Sequence, residues 1–98
     1  MYGLLIPPEP IQHESIQRVF FESPEDIFSK QACTIIGACI EKDLVYMGLK
    51  SGSGVANKCI PPKLLEDSVF EHTNGPILVI KTDKKGDPVD TISFHDLH

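Results

Sequence analysis

The sequence is short of cysteine, of positive charge and of any long apolar run, and each shortage removes a class of protein. Cysteine occurs three times, at Cys33, Cys39 and Cys59. An odd number with no close pair is not the pattern of a secreted disulfide scaffold, so a reducing, cytoplasmic setting is expected. Basic residues number 9 against 14 acidic ones, giving a formal net charge of -5. A field of that sign repels a polyanion, so no duplex nucleic acid is expected as a partner. The N-terminal stretch MYGLLIPPEP has neither a basic n-region nor a long h-region. It therefore reads as neither a signal peptide nor a membrane span, and no membrane partner is expected. Internal repeats and low-complexity segments are also lacking.

What is present is ordinary globular material: 98 residues, 41% hydrophobic and 23% charged. That length suits a single domain over residues 1–98, with a core that needs neither metal nor disulfide. Residues 2–7 form a short apolar run ended by Pro7 and Pro8, which reads as a buried strand. Residues 14–21 are rich in β-branched and aromatic types and read as a second strand. Ser23, Pro24, Glu25 and Asp26 then form a helix start, with a Ser N-cap, Pro at the first position and acids in the first turn. The helix is expected over 24–32, with Ile27, Phe28 and Ala32 on the face that packs on the sheet.

Residues 33–40 are continuously apolar apart from Thr34, as in a central strand covered on both sides or one with a face in an interface. A polar turn at 41–43 and a strand at 44–49 complete a hairpin. Gly37 and Gly48 within these strands mark a bulge or a close backbone approach. A helical turn at 62–67, a strand at 75–81, a turn at 83–87, a strand at 89–92 and a final helical turn from Ser93 follow, the last packing Phe94 and Leu97. The order β-β-α-β-β-α-β-β-α predicts an α+β fold: a mostly antiparallel sheet with one main helix packed across it, β-grasp-like in its opening.

The run GLLIPPEP, the stretches TIIGACIEKD and LVYMGLKSGSG, Asn57, and Gly75 ahead of ILVIKTD together span most of the chain. In these features the chain resembles a small domain family of unknown function from bacteriophages and large DNA viruses. It departs from that family in SPEDIFSKQACTII, which has no glycine between helix and strand. The resemblance implies a viral accessory protein and carries over no catalytic residue.

Chemistry is concentrated in KSGSGVANKC. Small residues there let backbone amides converge on an anion, with Lys50, Ser51, Ser53, Asn57 and Lys58 as the ligand-binding candidates. Residues 42–63 hold four lysines against one acid, Asp43, a local excess of +3 in an acidic chain. The stretch lacks the order of a P-loop and the third glycine of a dinucleotide turn, and a solvated connection explains it as well. Cys33 and Cys39 have the same parity and stand about 20 Å apart in a regular strand, too far to share zinc. His95 and His98 at i, i+3 lack further ligands, Cys59 has only Lys58 beside it, and Glu66, Asp67 and Glu71 form no distinct pair. No catalytic residue, metal or cofactor is therefore expected.

Phe20 and Phe21 cannot both face inward in a regular strand, nor can Tyr46 share a face with Val45 and Met47. Apolar surface on both sides of a small sheet suggests a homodimer or a protein partner. The sequence thus supports a non-enzymatic binding or adaptor module acting through a sheet face or edge. The alternative is a domain that binds or sequesters a nucleotide or another phosphate-bearing small molecule through the glycine-rich loop.

Overall fold

The computed structural model describes residues 1–7, 16–49, 57 and 74–97, with the side chains of Phe94 and Leu97 outside the description. Four consecutive apolar residues, Ile77, Leu78, Val79 and Ile80, are all buried although they point alternately to opposite sides. A strand can do this only at the centre of a sheet with both faces covered. They belong to β5 (Ile77–Thr82), which pairs antiparallel with β1 (Tyr2–Ile6) on one side and β4 (Leu44–Leu49) on the other. Outside β1 lies β2 (Gln17–Phe20), and outside β4 lies β3 (Cys33–Cys39), so the order is β2-β1-β5-β4-β3. A short β6 (Pro88–Val89) pairs with the last two residues of β5, Lys81 and Thr82.

The expected α+β arrangement with a main helix across the sheet is not found. The helix α1 (Pro24–Ile27) is a single turn, and the only other helical pieces among the described residues are 3-10 turns at Ile40–Lys42 and Phe94–Leu97. The start signal is real: the Asp26 carboxylate accepts the Ser23 N–H at 3.2 Å. Beyond Phe28, however, residues 29–32 are all exposed. A continued helix would bury nothing, and a helix this short is held by its buried face rather than by propensity. The expected turn at 62–67 lies outside the described residues.

The chain leaves α1 through two consecutive left-handed residues, Ser29 at φ 54° and Lys30 at φ 62°. The Lys30 N–H donates to the Glu25 carbonyl at 2.7 Å, and the Gln31 N–H to the Phe28 carbonyl at 3.0 Å. Glycine is the usual residue in such a helix exit, and this is where the sequence has none.

Each face of the sheet has its own cluster. On the first, Leu4, Ile6, Leu44, Tyr46, Ile77 and Val79 pack with Ile92 from the C-terminal segment. On the second, Leu78 and Ile80 pack with Phe21 and Phe28, brought over by the chain around α1. Gly3 allows that second layer to settle: a Cβ there would lie 2.9 Å from the Val79 carbonyl oxygen and 3.1 Å from Phe21. The C-terminal segment is fixed to the first face by polar contacts. The Arg18 guanidinium lies 3.9 Å over the Tyr2 ring and donates to the carbonyls of Asp90 at 2.6 Å and Ile92 at 3.2 Å. The Tyr2 N–H donates to the Asp90 carboxylate at 3.0 Å. Further on, Lys81 pairs with Asp96 at 3.0 Å.

Two predictions follow from these contacts. Lys30→Gly removes a side chain from a left-handed residue and is expected to raise unfolding stability by about 1 kcal/mol in urea titration. The Asp96 carboxyl is pushed up by burial, its largest influence, yet the Ser93 N–H and Lys81 together hold it below its ordinary value. A depressed folded value gives stability that is present above the unfolded carboxylate value of about 3.9 and is lost as pH falls through the folded one. Wild type should therefore exceed Asp96→Asn by about 0.5–1 kcal/mol at neutral pH, with the gap closing below pH ~4 in chemical denaturation.

Candidate functional site

Of the five residues proposed for the glycine-rich loop, Asn57 is described, and Lys50, Ser51, Ser53 and Lys58 lie outside the described residues. The Asn57 side-chain nitrogen donates to the Ile6 carbonyl at 3.2 Å and to the Gly75 carbonyl at 2.9 Å. Ile6 ends β1 and Gly75 stands just ahead of β5, so this amide ties the end of one strand to the start of its antiparallel neighbour. An asparagine is suited to this because its NH2 group carries two donors on one rigid plane.

The two described cysteines do not share a side of the sheet. Between Ile35 and Gly37 the β3–β4 register shifts by one residue, a β-bulge, and the alternation of side chains reverses there. Cys33 consequently packs with the second-face cluster and Cys39 with the first. Their expected common parity is overturned, because a regular period of two does not survive an inserted residue. Gly48 accommodates the shift, since a Cβ there would meet Ile36 at 3.3 Å. The Cys33 thiol is pushed up by burial and then by the negative charge of Glu25, which favours the protonated form over a nucleophilic thiolate. Among the described residues no group of three or more His, Cys, Asp or Glu side chains could hold a metal. His95 is exposed on the C-terminal 3-10 turn. His98, Cys59, Glu66, Asp67 and Glu71 lie outside the described residues.

The position of β3 is the second departure from expectation. The apolar segment predicted to be central lies at the margin, beside β4 alone, and no strand among the described residues pairs with its outer side. Its apolar side chains therefore reach solvent: Ile35 is 62% exposed, and Ile40, just past the strand, 90%. From Cys33 to Ile40 there is no charged residue and no proline. Lys30 and Glu41, both exposed, stand at the two ends of this stretch.

The opposite margin is built differently. In β2 the edge carries Arg18, which is engaged with Tyr2 and the C-terminal segment, and Phe20, 61% exposed but stacked edge-on against the Tyr2 ring at 5.1 Å. A charged side chain is one device by which proteins blunt a strand edge. The β3 edge has the bulge and no charge. Its outer backbone groups, flanked by Ile35 and Ile40, can add a strand, which makes this edge the candidate site.

Ile35 and Ile40 were missed as site residues because an uninterrupted apolar run reads the same on a buried central strand as on a sticky edge. Gly37 was the one available signal, since it marks the bulge. Among the described residues no helix is long and apolar enough to cross a membrane.

Asn57→Ala leaves the Ile6 and Gly75 carbonyls without their donor and is expected to cost about 1–3 kcal/mol, read as a lowered urea midpoint at unchanged m-value.

Compared with known proteins, the chain matches no family model, no curated protein and no solved structure.

Proposed function

We propose that this chain is a non-enzymatic binding module that meets protein partners by adding a strand at the outer edge of β3. The accessory role in a virus-infected cell implied by the sequence resemblance is part of the same proposal. The supporting observation is the contrast between the two margins of one sheet. The β2 strand carries a charged residue, Arg18, while the eight uncharged residues from Cys33 to Ile40 include two exposed isoleucines, Ile35 and Ile40. Soluble proteins ordinarily protect such an edge with lysine, proline or a cover, and an edge that shows none of these among the described residues supports its use as a surface. Main-chain hydrogen bonds would supply affinity in this mode, and alternate side-chain contacts on Ile35 and Ile40 the selectivity.

Panning a random-peptide library on immobilised protein tests this. Uncharged, β-branched peptides should be enriched on wild type and fail to bind Ile35→Lys, whose charge sits on an exposed position and leaves the fold intact. Equal recovery on the two baits would remove the β3 edge as the binding surface.

A further inference from the structure

We infer that the Asn74–Gly75 bond is a site of spontaneous deamidation, and that the side chain of Asn57 sets its rate in the folded chain. The inference is independent of the β3 edge and concerns the entry to β5, the central strand. Asn74 and Gly75 form the one Asn-Gly pair in the sequence. This pair is the most labile of its kind, because glycine puts no side chain in the way of its own nitrogen. The Gly75 backbone nitrogen attacks the side-chain carbonyl carbon of Asn74 and a succinimide ring closes. As the new N–C bond forms, the Cγ–Nδ2 bond breaks and ammonia leaves with the proton of the Gly75 N–H. Water then opens the ring at either carbonyl and gives aspartate or isoaspartate. Water is the one co-reactant.

The fold opposes the first step. Ring closure needs the planar peptide between Asn74 and Gly75 to turn until its nitrogen faces the Asn74 side chain. Gly75 is buried, and its carbonyl accepts the Asn57 amide at 2.9 Å. The same amide donates to the Ile6 carbonyl at 3.2 Å, and Ile6 stands opposite Ile77 in the β1–β5 ladder. Pro76 follows directly and restricts Gly75 from the other side. Gly75 is thus fixed to the end of β1, and the peptide ahead of it turns freely only when the Asn57 contacts open. The glycine is itself required, since its φ of 77° lies where an L side chain is disfavoured. The backbone at this entry therefore demands the residue that makes the bond labile.

The product strikes the strand on which the sheet is built. An isoaspartate routes the main chain through the side chain and inserts a carbon atom between the Asn74 Cα and the Gly75 nitrogen. Ile77, Leu78, Val79 and Ile80, all buried, follow at once. A chain lengthened there cannot keep both the Gly75 carbonyl on Asn57 and Ile77 opposite Ile6 as they stand. Either product also adds a negative charge to a chain already at -5.

Ageing of the full chain in mildly alkaline buffer tests this, with conversion at Asn74 followed by peptide mass spectrometry as the mass gain of an amide becoming an acid. Wild type unfolded in urea should convert about tenfold faster than folded wild type, or more, because local opening precedes reaction in the folded chain. Folded Asn57→Ala should convert about tenfold faster than folded wild type. That variant is also less stable, so it is compared with wild type brought to the same net stability by urea, and it should remain the faster of the two. In wild type alone, the rate at low urea should rise less steeply than the global unfolding constant, because opening the Asn57 contacts exposes little surface. Should Asn57→Ala fail to fold, this urea dependence decides. Asn74→Gln should show no gain at position 74 over the same period. Folded wild type that converts as fast as the unfolded chain would overturn the inference. So would an Asn57→Ala no faster than stability-matched wild type, or a wild-type rate that follows global unfolding.

Discussion

Burial of β5 on both faces is the constraint on which the remaining structure depends. Ile77 and Val79 face one way, Leu78 and Ile80 the other, and all four are withdrawn from water. The second face is closed by Phe21 and Phe28 from the segment around α1, and the first by Ile92 from the C-terminal segment. Neither cover is a regular element of any length. Apolar burial drives both, while directional contacts decide where the covers sit.

Those directional contacts are concentrated at few residues. Arg18 stacks on Tyr2 and holds two backbone carbonyls of the C-terminal segment, and the Asp90 side chain returns a contact to the Tyr2 backbone. Guanidinium suits this role because its planar fork can stack and donate at once. The same arrangement anchors the C-terminal segment over the first face and leaves a charged side chain on β2.

The strands were largely legible in the sequence, because alternation, β-branched residues and proline boundaries are local signals. The positions of β1, β4 and β5 agree with expectation, as does the exposure of one of the two adjacent phenylalanines, which proves to be Phe20. What was not legible depends on partners distant in the chain. Helix length failed because Ser29, Lys30, Gln31 and Ala32 have helical character but find no surface to bury against. The location of β3 failed because burial by neighbours and burial by association leave the same apolar run. The parity of Cys33 and Cys39 failed because one inserted residue reverses a period of two. For the glycine-rich loop, Asn57 alone is described, and its amide joins the end of β1 to the start of β5 through contacts that composition does not encode.

The sheet order also sets a sequence of events in time. The hairpin of β3 and β4 closes over the short turn at Ile40–Lys42, whereas β1 must find β5 across most of the chain. Local loops close quickly and distant ones slowly, so the hairpin can form while β5 still lacks its other neighbour. During that interval β4 and β3 both present open margins, and the β3 margin persists among the described strands after β5 fills the other.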